Sequence, residues 1–114
     1  MLAEATALML TRFGSGSPAN DKTGTYHVSA AGEASWYDFA REILRTVCEL
    51  RPEASWCRRA LETIRPVGTA DYPRPAHRPA YSVLSNDKLF ECFGIRMPDW
   101  KWQLLMCLRE LDLS

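Results

Sequence analysis

Neither sign of charge prevails in this sequence: fourteen lysines and arginines meet fourteen aspartates and glutamates, for a formal net charge of zero. A chain without a global field has nothing to draw it onto nucleic acid or an anionic membrane, so neither is expected as a partner, and any anion site must be built locally. Long hydrophobic runs are missing too, and none approaches the roughly 18 residues that read as a membrane span. The opening MLAEATALML carries Glu4 and no basic residue, so it reads as a helix rather than a signal peptide. A cytoplasmic protein is expected.

Close cysteine pairs are also lacking. Cys48, Cys57, Cys92 and Cys107 stand at wide, unequal gaps, with no C-x-x-C and no close histidine pair, which argues against a zinc site. Cys48, Cys92 and Cys107 fall in apolar helical stretches where a thiol behaves as a small hydrophobe. Buried free thiols are expected, and no metal.

Catalytic constellations are no easier to find. GSGSPA, Gly14 to Ala19, satisfies the dinucleotide fingerprint only formally. That motif follows a buried strand and opens a helix, whereas here a helix precedes it and a loop continues from it. A short-chain reductase needs a tyrosine four residues before a lysine, whose ammonium lowers the phenol's pKa for proton exchange with a carbonyl oxygen. Tyr26, Tyr37, Tyr72 and Tyr81 are followed at that distance by Ala30, Arg41, Ala76 and Ser85. His27 reads as a half-buried packing residue. His77 is the better functional candidate but has no carboxylate or hydroxyl partner near it in sequence, so nucleophilic catalysis is unsupported.

What the 114 residues do contain fits one domain. A helix is expected over about Leu2–Arg12, then a surface loop, then a strand at Thr25–Ser29. Ser35 can cap a helix over Trp36–Leu50, with Asp38 in its first turn. Trp36, Phe39, Ala40, Ile43, Val47 and Leu50 form its buried stripe, and Arg51-Pro52 ends it. Glu53–Glu62 is ambiguous, a short helix among the options, and Thr63–Val67 reads as a second strand. Ser85 can cap a helix through Phe93 that stops at Gly94. Asp99 can cap a last one over Trp100–Leu111, with Trp100, Leu104, Leu105, Met106 and Leu108 toward a core.

Between these lies YPRPAHRP, Tyr72 to Pro79, with three prolines, two arginines and a histidine. Pro73, Pro75 and Pro79 fix φ and push Tyr72, Arg74 and Arg78 toward extended geometry. A stiff loop loses less entropy on binding, and Arg78 on it can offer a planar fork of donors to a diphosphate, with Arg74 and His77 adding charge. A plain proline-rich connector with exposed arginines accounts for the same composition.

Three phrases then stand out in order: GTYHVSAAGEASWYDFAREI from Gly24, RPVGTADYPRPAHRPAYSVLSNDKL from Arg65, and FGIRMPDWKWQLLMCL from Phe93. Together they resemble the carboxy-terminal part of the dTDP-4-dehydrorhamnose reductase family of extended short-chain dehydrogenase/reductases, about the last third of its length. The resemblance implies an α/β fold class, with residues 1–114 as the substrate-binding lobe: several helices, a few short strands and no Rossmann core. It implies that the complete protein reduces dTDP-4-dehydro-6-deoxy-L-mannose to dTDP-L-rhamnose with NADPH or NADH. The partners implied are a dTDP-sugar, a missing N-terminal Rossmann portion and a second copy in a homodimer. This part alone would bind no cofactor and transfer no hydride, because the glycine-rich loop and the Tyr-x-x-x-Lys pair have no counterpart in it. Matched onto the family's R-P-x-x-S-x-L phrase, Arg78 would meet the diphosphate, with Ser82, Arg74, His77 and Tyr81 bordering the sugar-nucleotide cleft. Trp36 is read as core. Two other readings stay open, a non-catalytic partner-binding module on the same scaffold and a nucleotide-sugar epimerase.

Overall fold

The computed structural model describes residues 1–14 and 22–111. They fold as two compact units, one from residues 1–14, 22–31 and 83–98, the other from residues 32–82 and 99–111. The formal fingerprint GSGSPA falls mostly outside the described residues.

The first unit carries α1 (Leu2–Gly14) and α4 (Asp87–Phe93). Its core is Ala5, Leu89, Phe93, Ile95 and Met97, with Met9, Tyr26, Val28 and Cys92 packed against them. Leu89 is fully buried. Gly94 ends α4 at φ 64°, and its N–H donates to the Phe90 carbonyl, the left-handed stop that glycine adopts without Cβ strain. Ser85 caps the start of α4 from one residue outside, its hydroxyl accepting from the Asp87 N–H at 3.1 Å. By contrast α1 buries only Ala5 fully, and Leu2, Leu8, Leu10 and Phe13 are exposed.

The second unit carries α2 (Trp36–Leu50), α3 (Ser55–Thr63), a 3₁₀ turn at Thr69–Asp71 and α5 (Trp100–Glu110). Val47, Cys57 and Leu108 form its core, joined by Ile43, Cys48, Leu50, Ala54 and Leu104. α2 begins in a full capping box. The Asp38 N–H donates to Ser35 Oγ at 3.1 Å, and the Ser35 N–H donates to Asp38 Oδ2 at 3.2 Å. Asp99 caps α5 by accepting from the Lys101 N–H at 2.8 Å. Ser35→Ala should therefore cost about 1 kcal/mol of stability, read from urea unfolding at neutral pH. The hydrogen bond from Ser35 holds the Asp38 carboxyl below its ordinary range. The carboxylate half of the box is fully formed above that range and is lost as pH falls through the lowered value, so acid should narrow the difference between wild type and variant down to the share of the Asp38 N–H bond to Ser35 Oγ.

Several expectations are corrected. Neither Thr25–Ser29 nor Thr63–Val67 is a strand, and the described residues contain no strand at all. The fold is mostly helical where an α/β arrangement was expected. A ladder needs a second backbone alongside it, and here side chains occupy its place. The carboxamide of Asn86 accepts from the Ser29 N–H at 3.0 Å and donates to the Ser29 carbonyl at 2.9 Å, while Lys88 Nζ donates to the Thr25 carbonyl at 3.0 Å. Thr63 closes α3, its hydroxyl donating back to the Arg59 carbonyl at 2.9 Å. Trp36 is 82% exposed rather than core. Met106 is exposed, lying roughly 200° around α5 from Leu104 and Leu108 at 3.6 residues per turn. Of the cysteines, all free, only Cys57 is buried. Cys48 and Cys92 are half-buried and Cys107 is exposed.

No helix among the described residues is long and apolar enough to cross a membrane.

Candidate functional site

Every residue from Arg65 to Ser85 is exposed, and apart from the short 3₁₀ turn this stretch has no regular structure. The prolines account for that directly: Pro73, Pro75 and Pro79 donate no backbone hydrogen bond and bar the residue before each from helical geometry. The sequence-derived candidates Arg74, His77, Arg78, Tyr81 and Ser82 all lie on this ribbon within the second unit. Arg78 is exposed and makes no ion pair among the described residues. Arg74 stands over the Tyr72 ring, 4.8 Å from its centroid, which leaves the edge of the guanidinium open to solvent. His77 and Ser82 are exposed.

Tyr81 is the ribbon's tether. Its phenol donates to Glu33 Oε1 at 2.7 Å, and this bond raises its pKa above the ordinary phenol value. The bonded form is the neutral phenol, so the tether is intact below the ordinary value of about 10 and is lost as pH rises through the raised one. In an ultraviolet titration Tyr81 should be a late-ionising tyrosine, and Tyr81→Phe should remove that step. A tyrosine titration unchanged by the substitution would contradict the tether.

Glu33 also lines a groove of about 310 Å³ with Asp38, Arg41, Glu42, Arg45, Trp100 and Lys101. Much of its charge is already engaged. Arg45 bridges Glu42 and Glu49, each at 2.5 Å, and the bond from Arg45 lowers the Glu42 pKa. Arg41 and Lys101 are exposed and act on Asp38 through charge, while Lys101 Nζ lies 5.6 Å from the Trp100 ring centroid. Trp36 meets Phe39 edge-on at 6.2 Å, and Phe39 in turn tilts against Trp100 at 5.8 Å. The sequence reading had no signal for the groove, because its walls come from α2 and the start of α5, and Glu33 meets Tyr81 across 48 positions. Among the described residues no three His, Cys, Asp or Glu side chains are placed to hold a metal ion.

A ribbon of exposed cations is thus tied at one end to a groove lined by Trp100, three cations and three carboxylates, and of the two only the ribbon offers uncompensated positive charge to an anion. The family described as RmlD substrate binding domain matches residues 1–113, and the chain belongs to it. It is 44% identical over 89 residues to a dTDP-4-dehydrorhamnose reductase of Burkholderia thailandensis, covering 78% of this chain and 29% of that protein. To a protein of the same name in Shigella flexneri it is 31% identical over 111 residues, 97% of this chain and 34% of the relative. It is also 42% identical over 88 residues to the spore coat polysaccharide biosynthesis protein SpsK of Bacillus subtilis, covering 76% and 26% respectively. The chain thus spans about a third or less of the length of these relatives. No solved structure matches it.

Proposed function

We propose that this chain is the sugar-nucleotide-binding portion of a dTDP-4-dehydrorhamnose reductase, presenting dTDP-4-dehydro-6-deoxy-L-mannose for reduction to dTDP-L-rhamnose. The observation that carries the reading is the family match over residues 1–113 together with relatives that bear the reductase name. The proline-stiffened ribbon supports it physically. Arg78 is assigned to the diphosphate, Arg74 and His77 to the surrounding charge, and Ser82 and Tyr81 to the border of the cleft.

Hydride chemistry is assigned to the rest of a longer polypeptide. A dinucleotide cradle needs a strand running through a glycine-rich turn into a helix, and the described residues hold no strand, so they do not fit a nicotinamide cofactor. When bound in the complete protein, NADPH or NADH would supply the hydride. The exposed Leu2, Leu10 and Phe13 of α1, which lie within roughly 80° of one another at 3.6 residues per turn, give such a portion, or a second copy of the chain, an apolar face to cover.

Calorimetric titration of dTDP into the purified chain tests the reading. Saturable binding is expected, and no oxidation of added NADPH when dTDP-4-dehydro-6-deoxy-L-mannose replaces dTDP. Absence of nucleotide binding, together with stable capture of another protein, would replace it with the partner-module alternative.

A further inference from the structure

Nine positions separate Cys48 from Cys57 in the sequence, yet the fold sets their side chains together. Cys48 lies in the last turn of α2 and Cys57 in the first turn of α3, on either side of the bend at residues 51–54. Both belong to the core of the second unit, where Cys57 is buried and Cys48 packs against that core while half-exposed. The neighbouring Cys57 side chain, together with partial burial, holds the Cys48 thiol above its ordinary pKa. Both also line one cavity of about 130 Å³, with Pro52, Ala54, Ser55 and Arg58. That is ample for a molecule little larger than water.

We propose that Cys48 and Cys57 are a redox-convertible pair, closed to an intramolecular disulfide by hydrogen peroxide and reopened by a dithiol. Cys48, the half-exposed member, meets the oxidant, and because its raised pKa keeps the reactive thiolate scarce at neutral pH, closure is slow there and quickens as pH rises. Its sulfur attacks one peroxide oxygen as the O–O bond breaks, leaving a sulfenic acid, and the departing hydroxide takes up the thiol proton to become water. Cys57 Sγ then attacks Cys48 Sγ, the S–O bond breaks, and a second water leaves with the Cys57 proton. Two thiols are oxidised by two electrons in all, and one peroxide is reduced to two waters. Neighbouring thiols are the arrangement in which a sulfenic acid is captured as a disulfide before it oxidises further. A reversible bond of this kind suits a reducing compartment, where stable disulfides are rare. The pair plays no part in the substrate reading above, so either can fail alone.

The test is peroxide treatment of the reduced full chain, followed by alkylation, intact mass and peptide mapping. The expected product has lost two hydrogen atoms, carries one cross-link joining the Cys48 and Cys57 peptides, and reverts with dithiothreitol. Cys48→Ser and Cys57→Ser should each abolish it, whereas Cys107→Ser, at the exposed thiol, should leave it intact. Should the buried Cys57→Ser fail to fold, the wild-type map and Cys48→Ser decide the matter. No cross-link, a cross-link to Cys92 or Cys107, or Cys48 advancing to the sulfinic acid while Cys57 stays a thiol would each overturn the proposal.

Discussion

Leu89→Ala should cost the first unit about 3–4 kcal/mol, the largest stability loss expected from any single substitution in this chain. Leu89 is fully buried among Ala5, Phe93, Ile95 and Met97. An alanine there removes the apolar contacts and leaves a cavity that two short helices cannot close. Against the 5–15 kcal/mol that holds an ordinary domain together, this is a large fraction. The choice of probe matters. Trp36, Trp56, Trp100 and Trp102 all belong to the second unit, so tryptophan fluorescence follows that unit, whereas amide hydrogen exchange in α4 follows the one that loses Leu89. A strong rise in α4 exchange is expected. A change worth under about 1 kcal/mol would show that Leu89 is not the centre of that core.

Arg78→Ala should weaken dTDP binding by about tenfold or more, with Arg78→Lys recovering only part of the loss. A charge-assisted hydrogen bond to a phosphate is worth roughly 1.5–3 kcal/mol, and the guanidinium offers a planar fork where an ammonium offers a point charge. Arg78 is exposed and makes no ion pair among the described residues, so stability should stay unchanged and the effect should be confined to affinity. Calorimetry on the three proteins, with a urea melt of each as control, separates the two. Equal affinities would remove Arg78 from the proposed site.

Local chemistry made the helices readable. Ser35 with Asp38, Asp99 before α5 and Gly94 after α4 each act within a few residues, so spacing alone reveals them. The strands failed for the opposite reason. Thr25–Ser29 has strand composition, but a strand exists only beside a partner, and the Asn86 and Lys88 side chains stand in that place from some sixty positions away. Trp36 follows the spacing of the buried stripe but stands at the end of the helix rather than inside it. Helical side chains lean toward the N-terminus, so at the first position of α2 the indole projects off the helix end instead of joining the stripe of Ile43 and Val47. For the site, the prolines on either side of Arg74 and after Arg78 foretold a stretch that is not helical, and it is exposed throughout. Its tether to Glu33 and the neighbouring groove depend on contacts that no spacing rule encodes.

The claim on which the functional reading rests is that the basic ribbon holds phosphates. Titrating dTDP and thymidine separately into one preparation of the chain tests it most directly. The account predicts saturable binding of dTDP, weakened by added salt, and no measurable binding of thymidine at the same concentrations. Equal binding of the two, or dTDP binding indifferent to salt, would contradict it.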